Sequence, residues 1–133
     1  MSYQMIVIVG NLGRDPEIQS TASGQVVCHL SVATTRIFKE EGETKKETAW
    51  FRVSTWGRTA ESCKEYLKQG ARVLVEGRLN VDPKTGGPRI FTRQDGTSGT
   101  SFEINAATIR FLSRSTNAAE EEKVEESLLA IPF

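Results

Sequence analysis

Tyr3 to Val9 is a run of apolar and β-branched residues, broken only by Gln4, that ends at Gly10-Asn11-Leu12-Gly13. It predicts a first strand followed by a sharp turn that the glycines permit. Val26 to Phe38 predicts a second long strand, entered through the turn Ser23-Gly24. Phe38 to Thr48 carries Lys39, Glu40, Glu41, Gly42, Glu43, Lys45 and Lys46, too much charge to bury, and is expected to be a hairpin loop. Thr48 to Trp56 predicts the third strand. The period then changes. From Thr59 to Gln69, Ala60, Cys63 and Leu67 recur at spacings of three and four, which predicts a helix with one narrow apolar stripe. Tyr66 flanks that stripe, Glu61/Lys64 and Glu65/Lys68 form surface charge pairs, and Gly70 stands where a left-handed cap is wanted. Ala71 to Leu79 is a fourth strand, with Val73, Val75 and Leu79 on one parity. Asp82-Pro83-Lys84-Thr85-Gly86-Gly87-Pro88 forbids regular structure, and Gln94-Asp95-Gly96 marks a turn between Arg89–Arg93 and Ser101–Leu112.

One helix between the third and fourth strands of an otherwise all-β chain is the arrangement of a five-stranded OB-fold barrel. An SH3-like barrel normally lacks that helix, and a ferredoxin-like domain needs two. Residues 1–112 are therefore expected to form the barrel. Residues 113–133 are expected to be a short linker, disordered through about residue 127 because it is polar and almost free of aromatics, and an acidic tail.

A length of 133 residues suits one domain and little more, and a hydrophobic fraction of 38% is that of a soluble globular chain. No apolar run reaches the roughly 18 residues that span a bilayer, so no membrane partner is expected. The N-terminal stretch lacks the basic region and small-residue cleavage site of a signal peptide, so the expected location is cytoplasmic. Cys28 and Cys63 form no CxxC pair and the chain has one histidine, so no metal site is expected and both thiols read as buried small hydrophobes. The net charge is zero, but it is divided. Two basic against five acidic side chains leave residues 113–133 at −3, and residues 1–112 correspondingly at +3. A mildly basic body permits a polyanionic partner.

The chemistry concentrates in Ala49-Trp50-Phe51-Arg52-Val53-Ser54-Thr55-Trp56. Strand alternation puts Trp50, Arg52, Ser54 and Trp56 on one face and Ala49, Phe51, Val53 and Thr55 on the other. Two indoles around a guanidinium suit unpaired nucleic acid, since any base stacks on an aromatic ring and each brings a phosphate. Alternation alone equally allows two core tryptophans with Arg52 reaching out to water. Arg36-Ile37-Phe38-Lys39 and Arg89-Ile90-Phe91-Thr92-Arg93 interleave basic and aromatic residues again, and each phenylalanine taken singly suits packing as well as stacking. Catalysis is disfavoured. His29 and Cys28 are strand neighbours that point to opposite faces, and no phosphate-cradling GxxxxGKS/T motif or metal-spaced carboxylate cluster occurs. No enzyme activity and no cofactor are expected.

Across nearly its whole length the chain resembles the bacterial single-stranded DNA-binding protein family. The resemblance is carried by Val9-Gly10-Asn11-Leu12-Gly13-Arg14-Asp15-Pro16-Glu17, Leu30-Ser31-Val32-Ala33-Thr34 and Thr48-Ala49-Trp50-Phe51-Arg52-Val53. It continues through Trp56-Gly57-Arg58-Thr59-Ala60-Glu61, Glu65-Tyr66-Leu67-Lys68-Gln69-Gly70 and Val75-Glu76-Gly77-Arg78-Leu79. It implies sequence-independent binding of single-stranded DNA, a homotetramer, and service in replication, recombination and repair. It further implies stacking by Phe38, Trp50, Trp56 and Phe91, with Arg36, Lys39, Arg52, Arg58, Lys68, Arg78, Arg89 and Arg93 toward the DNA.

Three features depart from the family. Residues 80–88 look like an insertion before Phe91, and Phe51 stands where the best-known members have a histidine at a subunit contact. Family members usually close on an acidic tip with Ile-Pro-Phe. Here Ile131-Pro132-Phe133 follows Ser127-Leu128-Leu129-Ala130, with the charge further back at Glu120 to Glu126. Such a tip suits capture by a shallow pocket with a basic rim on replication and repair proteins. An OB-fold restart factor would lack that ending, and a cold-shock-like RNA binder would lack the helix.

Overall fold

The computed structural model describes residues 1–113. In chain order its elements are β1 (Ile6–Leu12), β2 (Glu17–Ser20), β3 (Val26–Glu40), β4 (Glu43–Trp56), α1 (Gly57–Tyr66), β5 (Arg72–Asn80), β6 (Arg89–Thr92) and β7 (Ser98–Ser113). Five strands close on themselves. β1 pairs antiparallel with β5, β5 with β7, and β4 with β3, while β7 and β4 run parallel. β3 returns to the end of β1 through Asn11↔Ala33 and Leu12↔Val32. The result is the OB barrel, with its one helix between the third and fourth barrel strands. β2 and β6 are additions, paired among the described residues only to β3 and β7 respectively.

Period-two patterning fills the interior. Cys28, Leu30 and Val32 from β3, Val53 from β4, Val73 and Val75 from β5 and Ile104 from β7 form one buried cluster. Ala60, Cys63 and Leu67 plug it from the helical end, the stripe the spacing predicts. Full burial of such aliphatic side chains is worth about 1.5–3 kcal/mol each.

Several boundaries differ from expectation. Gly10-Asn11-Leu12-Gly13 does not turn at once: β1 runs through Leu12, changing partner from β5 to β3 as it goes. That junction is tied down by Asn11 Nδ2 donating to Gly70 O (3.0 Å), Arg72 Nη1 donating to Asn11 Oδ1 (3.0 Å) and Gly70 N donating to Leu12 O (2.8 Å). Gly70 does have positive φ (91°), but α1 ends earlier, with an extended Leu67 as its cap residue. The charged stretch expected to be a loop is strand almost to its tip. β3 and β4 pair without interruption down to Glu40↔Glu43, and only Glu41 and Gly42 turn. Both have positive φ (53° and 80°), the type I′ geometry whose twist matches a two-residue hairpin.

Candidate nucleic-acid interface

The outer wall of the barrel is laid out by the β3–β4 register. Trp50 lies opposite Ala33, Arg52 opposite Ser31, Ser54 opposite His29 and Trp56 opposite Val27. The alternate set faces in: Val53 and Thr55 are buried, and Phe51 is half-buried at the rim, its ring 5.9 Å from that of Phe102. Of the two arrangements that alternation allows, the structure has the open one. Trp50 is 53% exposed and Trp56, at the start of α1, is 36% exposed. Small partners on β3, Ala33 and Ser31, leave the Trp50 ring and the Arg52 guanidinium uncovered. Arg52 makes no hydrogen bond or ion pair with a described residue, although Glu103 of β7 is its register neighbour.

Trp50 is also propped from below. A Cβ placed on Gly13 would lie 2.6 Å from Trp50 Cη2 and closer still to Cζ3, so the indole rests directly on that glycine's backbone. Residue identity at Gly13 therefore sets where the ring can sit.

The row beside Arg52 is polar. Glu17 of β2, His29 of β3, Ser54 of β4, Asn105 of β7 and Arg78 of β5 follow one another across four strand pairs. His29 Nδ1 and Ser54 Oγ are hydrogen-bonded at 3.0 Å. Partial burial holds the imidazole below its ordinary pKa, Arg52 pushes the same way, and Glu17 and Glu103 oppose them. Sequence reasoning weighed His29 only as a catalytic base and so missed its place on this wall. Its parity with Ser31 and Ala33 was a usable signal, but only the register puts it against Ser54.

Two further groups of expected residues sit on projections. On the β3–β4 arm, the Arg36 guanidinium carbon lies 4.4 Å over the Phe38 ring and its Nε is 3.3 Å from Glu47 Oε1. Lys39 is exposed beyond them. Unbroken pairing puts Phe38 on the opposite face of this ribbon from Trp50, so these two rings do not share a face. On the β6–β7 hairpin, Phe91 lies opposite Gly99, over which both its ring and the Arg93 guanidinium fold; the ring is 45% exposed. Arg93 Nη1 donates to Ser98 O (2.6 Å) and Arg89 Nη1 to Val81 O (3.2 Å), so both guanidinia also brace the hairpin. Residues 80–88 close into a compact loop, with Gly86 N donating to Asp82 O (2.8 Å) and Asp82 N to Gly87 O (2.9 Å). Arg58, two residues after Trp56, and Lys68, just past α1, are exposed at the helical end of the barrel.

Elsewhere the chemistry is quiet. Burial pushes the Cys63 thiol up to about 12, with Cys28 beside it adding to the rise, and burial raises Cys28 against the pull of Lys64. No group of three or more His, Cys, Asp or Glu among the described residues could hold a metal ion. No helix among them is long and apolar enough to cross a membrane. Ile131, Pro132 and Phe133, the expected partner-binding tip, and the linker before them lie outside the described residues.

Compared with known proteins, residues 3–112 match the "Single-strand binding protein family". Similar curated proteins include "Single-stranded DNA-binding protein 1" of Chlorobaculum tepidum, 41% identical over 92 residues, or 65% of this chain and 57% of that one. "Single-stranded DNA-binding protein" of Xanthomonas campestris is 38% identical over 108 residues, covering 80% of this chain and 59% of its own. The protein of the same name from Xylella fastidiosa is 36% identical over 108 residues, 80% of this chain and 62% of its own. The chain thus spans less than two thirds of the length of these relatives.

Proposed function

Since this chain belongs to the single-strand binding protein family, we propose that it binds single-stranded DNA without regard to sequence, shielding it and recruiting partners in replication, recombination and repair. One observation carries the reading: two part-exposed indoles flank a guanidinium that no described residue pairs, on one wall of an OB barrel. Each base stacked on an aromatic ring contributes about 1–3 kcal/mol whatever its identity. Arg52, with Arg78 on the same wall, Arg58 and Lys68 at its helical end and Arg36, Lys39, Arg89 and Arg93 on the two projections, neutralises phosphates and releases counterions. In a duplex the base faces are hidden, so the wall selects unpaired strands. Phe91 extends the stacking surface along the hairpin, and Phe38 offers a separate stacking ring on the far face of the arm. The role is binding and needs no catalytic group.

The protein acts as a homo-oligomer, a tetramer by analogy with the family. In support, Val7 and Val9 on the outer side of β1, with Met5 just before it, expose an apolar row unusual for a free surface. Residues 1–112 serve as the DNA-binding domain, and Ile131-Pro132-Phe133 as the docking segment for partner proteins.

Titration with poly(dT) is expected to quench tryptophan fluorescence, with little change on adding duplex. Trp50→Ala and Trp56→Ala are each expected to weaken binding by about five- to hundredfold, the equivalent of one lost stack. Affinity is expected to fall with salt. No quenching by poly(dT), or undiminished affinity in both variants, would overturn the reading.

A further inference from the structure

We infer that His29 is a proton-linked contact for the bound strand: held by Ser54 on the wall between Arg52 and Trp56, its imidazole takes up a proton when a backbone phosphate settles there. The inference rests on that wall being the DNA site and adds to it a residue, a ligand group and a pH dependence.

The geometry comes first. His29 projects from the outer parity of β3, one row from Arg52 and one row from Trp56, so a strand that stacks on both indoles must pass over it. Ser54 engages Nδ1 at 3.0 Å, which leaves Nε2 for a second partner, and none is supplied by the described residues. The charged groups facing it are few. Glu17 stands beside it on β2, Arg52 on β4 and Glu103 on β7, with Arg78 two strand pairs away beyond Asn105. Helix α1 packs on the inner side of β3 through Cys63; its Lys64 Nζ donates to Pro16 O (3.1 Å), one residue before Glu17, and Arg14 Nη1 lies 3.9 Å from Glu17 Oε1.

Free of DNA, the imidazole is pushed below its ordinary pKa of 6.5 by partial burial and by Arg52, so it is neutral near pH 7.5. A phosphate drawn in by Arg52 brings negative charge to the imidazole and offsets the guanidinium's repulsion. The pKa in the complex therefore exceeds the free value. Below the free-state pKa the ring carries its proton before DNA arrives, and above the bound-state pKa it is neutral in both states. Between the two, binding takes up as much as one proton per subunit and affinity climbs as pH falls. Each unit of separation is worth about tenfold in affinity. His29 is the chain's one histidine, so no other imidazole contributes in this range.

The test uses the full chain and a dT oligomer, whose base does not titrate in this range. Dissociation constants are measured at fixed ionic strength from pH 8 to pH 5.5 for the native protein and for His29→Gln, which keeps a hydrogen-bonding group toward Ser54. The native protein is expected to tighten on acidification and His29→Gln to hold its pH 8 affinity throughout. The same slope in both would assign the proton to the carboxylates of Glu17 or Glu103 and overturn the inference, as would a flat native profile. Independently of any variant, the lone imidazole resonance is titrated by NMR with and without the oligomer. Its pKa is expected to rise on binding, and an unchanged or lowered value also overturns the inference. Failure to bind dT at any pH would instead bring down the DNA-binding reading itself, and this inference with it.

Discussion

Trp50 and Gly13 act together although they are far apart along the chain. The indole lies on the glycine backbone, with no room for a methyl group between them. Gly13 is absent from the residues of positive φ, so alanine there meets the ring and not a strained backbone. Because Trp50 is half in water, the ring can swing away at small cost to folding but not to stacking. Gly13→Ala is expected to lower stability by less than about 1–3 kcal/mol, the usual range for overpacking a buried site. It is also expected to weaken dT binding several-fold with a shifted tryptophan emission, read by thermal melting and fluorescence titration. Native affinity would mean the ring's resting place is unimportant. Alternation put Trp50, Arg52 and Trp56 on one face, since a side chain's face is set by its own strand, but whether that face was core or open wall took the structure to decide. Gly13 beneath the ring and Ser54 against His29 were not legible, because each contact depends on how separate strands align.

At the level of elements, the sequence reads well where one face is buried and poorly where neither is. β3, β4 and β5 announce themselves within the barrel by alternation, because every second residue must leave water. The arm beyond Phe38 is paired just as regularly, yet both its faces are wet. It is held by ladder bonds and the Glu40–Lys45 ion pair, with Arg36–Glu47 at its base, and no apolar period marks it. β2, exposed at all four positions, went unpredicted for the same reason. β1 shows the converse. Its inward residue Ile8 is buried, but Met5, Val7 and Val9 on the other parity are also apolar and exposed. Its Ile6–Gly10 stretch pairs with β5 alone. An apolar row beside an unpaired edge suits a second copy of the chain. Val7→Lys with Val9→Lys is therefore expected to shift native mass spectra toward monomer while leaving dT quenching per chain intact. An unaltered assembly would exclude this face from the interface.

Over the whole molecule, charge separates along the chain, +3 on residues 1–112 and −3 on residues 113–133, and under the proposed function body and tail engage different partners. Phe133→Ala in the full protein is expected to abolish binding to replication and repair proteins while leaving dT affinity unchanged, measured by fluorescence polarisation on one preparation. Equal partner affinity with and without the ring would refute the docking role. Composition, alternation, the single helical stripe and the order of elements determined an OB barrel and that both indoles share one face of β4 with Arg52. Such signals are local, each being the solvation of one residue relative to its near neighbours. Only the tertiary structure decided that the glycine before Arg14 supports Trp50, that Phe38 turns to the far side of its ribbon, and that His29 joins the wall between Arg52 and Trp56. Those are consequences of register and closure, which depend on how distant backbones bond to one another and leave no mark in the spacing of residues along any one of them.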